Sequence, residues 1–193
     1  MRRDGGEPVL MHLVNDPPSP DLQPRGGRRS LREIVMGAQD NLTTVLAVVL
    51  GVAIGSGEVR TVALAGLAAG TAEAISMAGV LYTATRAERD LAEAEGRELN
   101  GTLNEPIVAA IITFGAAIVA AVIPLAPFAV LPLHVAAVAS AVLSVSALFG
   151  LGVWTGGVTR KSRWGSGARF VAIGGLAALG SALVGAALRA NGV

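Results

Sequence analysis

The chain has 193 residues, of which 52% are hydrophobic and only 15% charged, with a formal net charge of +1. Soluble domains carry roughly a quarter charged residues, so a soluble enzyme is excluded, and the near-neutral balance leaves no basic excess for nucleic acid. With no cysteine and only two histidines, His12 and His134, the chain offers no disulfide framework, no thiolate zinc site and no imidazole cage.

Residues 1–30 are polar and interrupted by Pro8, Pro17, Pro18, Pro20 and Pro24. Such a stretch buries too little apolar area to offset its ordering entropy and is expected to be a flexible tail. It lacks the continuous apolar core of a cleavable signal peptide, so the first apolar segment is expected to act as its own insertion signal.

Five apolar segments follow, at about residues 34–54, 61–85, 107–123, 128–154 and 170–188. At ~1.5 Å per residue each is long enough for a hydrocarbon layer of roughly 30 Å, the third only just. Pro124 and Pro127 are expected to make a short turn between the third and fourth. The expected fold is all-α: a polytopic membrane protein of five spans comprising residues 31–193.

Cationic side chains in the connections set the expected orientation. The tail and the two even-numbered connections carry 13 arginines and lysines, against Arg60 and Arg189 on the other side. The N-terminus is therefore expected in the cytoplasm and the C-terminus outside, in the cell membrane. An odd number of spans precludes a simple even duplication within one chain, so a solute path is expected between two copies in a symmetric homodimer.

Two acidic residues fall inside the spans, Asp40 in the first and Glu73 in the second, with no span Lys or Arg to neutralise them. A carboxylate at such depth costs about 2.5–3.5 kcal/mol and commonly faces a water-filled path or a cation. Protons and a metal ion would compete for its oxygens. Counting residues from the span ends places Asp40 and Met77 at similar depth, with Glu73 one turn deeper on the Met77 face. Thr43 and Thr44 share a face with Asp40 and add hydroxyl oxygens. A carboxylate beside a thioether suits softer first-row metals better than Mg²⁺ or Ca²⁺. The bland alternatives are a packing methionine and protonated carboxyls that only bridge helices. Gly51/Gly55 and Gly66/Gly70 are small-residue pairs that favour close packing of the first two helices.

The stretch from Ile34 to Asp90 resembles the vacuolar iron transporter family. Its first-helix motif matches Ile34-Val35-Met36-Gly37-Ala38-Gln39-Asp40-Asn41-Leu42, and its second-helix motif matches Ala74-Ile75-Ser76-Met77. Glu105-Pro106, the Ile123–Pro127 turn and Ile173-Gly174-Gly175-Leu176 fit as well, so the resemblance covers all five spans. It implies a homodimeric divalent-metal/proton antiporter that moves Fe²⁺, and also Mn²⁺, out of the cytosol, with Asp40 and Met77 lining the path. The metal is cargo; no cofactor is implied. The partners are the metal ion, protons and the bilayer.

Departures from the family pattern are equally specific. Ala69 stands where many members have an acidic residue, Glu73 stands where the family has glycine, and Val80-Leu81-Tyr82 lacks a further carboxylate. The long metal-gathering cytoplasmic insert is replaced by about 20 residues, Arg86–Glu105, as in the nodulin-like branch. Within it Glu88, Glu95 and Glu98 are either a solvated acidic face balanced by arginines or a weak cation funnel. His134 is either a helix-end residue or an aid to release at the outer side. Trp154 and Trp164 are expected to anchor the interface. The rival functions are a non-transporting membrane scaffold or sensor, in which Asp40 and Glu73 only set packing, and an uncoupled cation channel.

Overall fold

A computed structural model describes residues 26–96 and 105–192. Within them the chain forms five helices and no strand: α1 (Gly26–Ser56), α2 (Val59–Ala94), α3 (Glu105–Val130), α4 (Leu133–Val158) and α5 (Arg163–Ala190). All five are long and apolar enough to cross a membrane. The expected all-α, five-span architecture is thus borne out. The expected tail lies outside the described residues as far as residue 25.

The helix ends differ from the hydropathy boundaries, for a physical reason. Apolarity marks where hydrocarbon would be, whereas a helix propagates until its backbone is made to stop. Gly26–Ser30, assigned to the tail by sequence, already belong to α1. The second helix continues past Thr85 to Ala94, so its 36 residues span roughly 54 Å and outrun a hydrocarbon layer of roughly 30 Å. It ends where Gly96 turns to φ +66, a left-handed conformation that glycine adopts freely. The fourth helix is shifted to 133–158, and the fifth is lengthened to 163–190.

The expected turn at Pro124 and Pro127 is corrected. α3 runs through both prolines to Val130, and the chain breaks instead at Leu131–Pro132. Proline is tolerated inside a membrane helix, and here it removes the amide donors to the Ala120 and Ile123 carbonyls, four residues before each ring. Ser140 Oγ of α4 donates to the Pro124 carbonyl at 2.8 Å, tying α3 to α4, and the Leu131 amide closes the last turn onto the Pro127 carbonyl at 2.9 Å. Pro132, with φ −60 and ψ 151, then starts α4.

α1 is the hub. It packs against each of the other four helices, which follow one another around it in chain order. α2 and α5 make no extended contact with each other, so the wrap stays open along one side of α1. Buried positions recur every four residues, as at Ala136, Ser140, Ser144, Leu148, Gly152 and Gly156 of α4. Most are small. Large aliphatics such as Leu64, Ile111, Val119 and Leu176 point outward instead. Where lipid replaces water, helices gain by close backbone approach rather than by hiding leucines.

Gly51 and Gly55 show that approach, although their partner is α5 and not α2. A Cβ at Gly51 would overlap Ser181, and one at Gly185 would overlap the Gly51 carbonyl. Gly66 and Gly70 do serve α1, against Val49 and Val45, and also meet Leu125 and Ala121 of α3. Gly180, by contrast, has open space where its Cβ would stand. Gly185→Val should therefore destabilise the protein by about 1–3 kcal/mol through overpacking, while Gly180→Val stays within about 0.5 kcal/mol. Denaturant unfolding in detergent micelles measures both, and equal losses would contradict the α1–α5 contact.

Candidate functional site

One buried amide fixes the register of the helices around the acidic residues. Asn41, fully buried on α1, donates from Nδ2 to the Gly70 carbonyl of α2 at 2.9 Å and to the Ala117 carbonyl of α3 at 3.0 Å. Both amide hydrogens are used, and Oδ1 is buried without a protein partner. A polar side chain in hydrocarbon is held firmly to whatever acceptors it finds. The missing Cβ at Gly70, where one would stand 3.0 Å from Val45 and 3.1 Å from Ala121, lets α1 and α3 come close enough for these bonds.

Asp40 precedes Asn41, and Glu73 lies one turn beyond Gly70 on α2. The clamp therefore brings the two acids level, with their carboxyl groups near enough to interact. Asp40 is sixteen residues from Ser56 and Glu73 fourteen from Val59, or roughly 24 and 21 Å from the α1–α2 turn. Both thus lie within the membrane-spanning length. Asp40 is exposed and Glu73 partly buried. Asp40 stands on the side of α1 left open between α2 and α5.

The other candidates fall into three places. Met77 is partly buried one turn from Glu73, on the same stripe of α2. Counted from the turn, Met77 lies roughly 27 Å along α2, as near the level of Asp40 as Glu73 is, on the other side of it. Thr44 is partly buried on α1. Thr43 faces α5: its Oγ1 is 3.6 Å from where a Cβ at Gly174 would stand, and it is buried without a protein partner. It is therefore turned away from the Glu73 side.

The short connection begins as helix. Glu88 is exposed on the protruding end of α2 and Glu95 caps that helix, while Glu98 lies outside the described residues. Arg86 and Asp90 form an exposed i,i+4 ion pair at 3.2 Å, which contributes little. His134 is exposed in the first turn of α4, and Trp154 and Trp164 are exposed, the latter 5.8 Å from the Phe149 ring. Among the described residues no three His, Cys, Asp or Glu side chains are grouped to hold a metal ion.

Sequence reasoning missed Asn41, quoted only as part of a motif, and also Glu33, Thr113, Ser140 and Ser144, all buried. A signal was present. Glu33, Gly37 and Asn41 recur every four residues, and Gly37 packs onto the Thr113 carbonyl of α3, so that stripe is the face of α1 turned to a neighbour.

The helices form a polytopic bundle with two carboxyl groups at membrane depth. The family model for the VIT family matches residues 31–104 and 95–186, and the chain belongs to that family. It is accordingly a membrane protein of a metal-ion transporter family. No curated protein matches the chain.

Glu73→Gln keeps the hydrogen-bonding shape and removes a charge from the pair. It should weaken metal binding by about tenfold, or about 1.4 kcal/mol, without a comparable loss of unfolding stability. Isothermal titration with Mn²⁺ in micelles checks this; an unchanged affinity would leave Glu73 a packing group.

Proposed function

We propose that the protein is a divalent transition-metal/proton antiporter that carries Fe²⁺, and also Mn²⁺, out of the cytosol. The observation that carries this reading is the neighbouring carboxyl groups of Asp40 and Glu73 at membrane depth, with Asp40 exposed on α1. An uncompensated carboxylate costs about 2.5–3.5 kcal/mol in such a place, which makes a purely structural role expensive. With one shared proton the pair carries a single negative charge. Loss of that proton supplies two charges and matches a divalent cation, so metal and proton bind the same oxygens in alternation.

The soft thioether of Met77 completes the selectivity. It lies one turn from Glu73 and adds sulfur to two oxygens, a set that favours Fe²⁺ over Mg²⁺. The uncovered strip of α1 supports a homodimer in which two Asp40–Glu73 pairs face each other and together supply the ligands. Transport then requires two states of that interface, one favoured by metal and one by protons. The 13-to-2 distribution of cationic residues supports entry of metal from the cytoplasm and protons from outside.

Proteoliposomes containing a metal-quenched dye test this. Fe²⁺ flux should follow an imposed pH gradient in the wild type and be abolished in Asp40→Ala. Flux indifferent to the gradient would indicate a channel, and its absence from correctly folded wild type would indicate a scaffold or sensor. Met77→Leu should retain Mn²⁺ flux better than Fe²⁺ flux, read as a changed ratio of initial rates in the same vesicles.

A further inference from the structure

Away from the acidic pair, α1 and α4 leave a seam with two cavities along it. One, of about 580 Å³, is lined by Leu31, Val35 and Met36 of α1 and by Thr155, Val158 and Arg160 at the end of α4. The other, of about 520 Å³, lies between α1, α3 and α4: α3 lines most of it, Gly115 and Val119 included, with Ala38 and Leu42 of α1 and Ala147 and Leu151 of α4 completing it. The lining residues of α1 recur at 31, 35, 38 and 42, and those of α4 at 147, 151, 155 and 158. Each set is one helical stripe. From Arg160 to Ala147 the lining of the two cavities covers roughly 20 Å of α4. The cavity at Ala147 is apolar, and the one at Arg160 mixes apolar residues with Thr155, Thr159 and the guanidinium.

The cationic end is built with unusual backbone geometry. α4 closes in a Schellman turn, with the Lys161 amide bonded to the Gly156 carbonyl at 3.0 Å and the Arg160 amide to that of Gly157 at 3.4 Å. The residue after the cap in such a turn is left-handed and usually glycine. Here it is Arg160, at φ 55, the only described residue besides glycine with positive φ. A local cost accepted at a position lining a cavity is a reason to look for a ligand. Arg160 is exposed and makes no ion pair with any described carboxylate. Lys161 and Arg163 follow it, with no acid between Val158 and Arg169.

We propose that this seam is a binding site for one anionic phospholipid from the leaflet at the arginine-rich end of the bundle, with its phosphate on Arg160 and an acyl chain lying between α1 and α4 against Gly115. The length suits an acyl chain, and the charge at the mouth complements a phosphate. A lipid held there contacts the hub helix mainly along the 31/35/38/42 stripe, away from Asp40. It would brace α1 while leaving the acidic side uncovered.

Two substitutions separate the headgroup contact from the chain contact. Arg160→Gly removes the guanidinium and suits the left-handed backbone, so the variant folds. Gly115→Leu extends into a space that is open within 4 Å of its Cβ position and fills the seam. Native mass spectrometry of the detergent-purified protein, titrated with phosphatidylglycerol or phosphatidylcholine of identical chains, reads the occupancy. The wild type should retain phosphatidylglycerol at least tenfold more tightly and gain thermal stability from it. Arg160→Gly should lose that preference, Gly115→Leu should lose tight binding of both lipids, and Arg169→Ala should behave as wild type. Equal binding of the two lipids by wild type, preference surviving in Arg160→Gly, tight binding surviving in Gly115→Leu, or an equal loss in Arg169→Ala would each overturn the assignment.

Discussion

A single asparagine in a nearly featureless apolar helix constrains much of this structure. Asn41 has two amide hydrogens and, in hydrocarbon, no water to receive them. It must be placed where two acceptors converge, and the carbonyls of Gly70 and Ala117 meet that demand from two different helices. Because apolar helices slide past one another with little change in contact energy, a polar bond of this kind fixes register where hydrophobicity does not. Once α1, α2 and α3 are locked at that level, Asp40 and Glu73 are side by side as a consequence. The clamp and the acidic pair are neighbours in the chain because one positions the other.

The bundle around the clamp is organised by size. Small residues predominate among the buried positions of the outer helices, while α1 itself buries Leu42, Val45, Leu46 and Val49. The closest approaches, Gly51 to Ser181 and Gly185 to the Gly51 carbonyl, belong to α5. The four outer helices wrap α1 in sequence but do not close the ring, because α2 and α5 remain apart. This leaves a helix that is buried for most of its circumference and open where it carries an acid. A packed hub with one uncovered functional strip is suited to a second copy, and a cation path between copies needs no channel through either.

The same hub explains how a lipid in the α1–α4 seam and a metal at the acidic pair relate. They occupy different sides of one helix whose position both depend on. Coupling through α1 would require two discrete placements of that helix, each favoured by a different ligand. The small-residue contacts permit shifts of that kind at modest cost, since they rely on closeness rather than on interlocked side chains.

Much was legible before any coordinates. Five apolar runs separated by polar connections gave the number of spans, because hydrocarbon thickness acts directly on composition. Asp40 and Glu73 were conspicuous because charge at that depth is costly, and the motif around Asp40 carried the family resemblance. Helix ends were less legible: α2 runs nine residues past its apolar segment and α3 passes through Pro124 and Pro127, since backbone hydrogen bonding decides those points. Which residues meet was settled only in three dimensions. Counting residues grouped Thr43 with Asp40 and paired Gly51 with α2. The fold sets Asp40 beside Glu73, turns Thr43 toward α5 and gives Gly51 to the same helix. Composition determines that a segment enters the membrane, because that is a transfer between solvents. Its rotation and register are contact properties, and here they depend on one buried amide and on the absence of a few Cβ atoms.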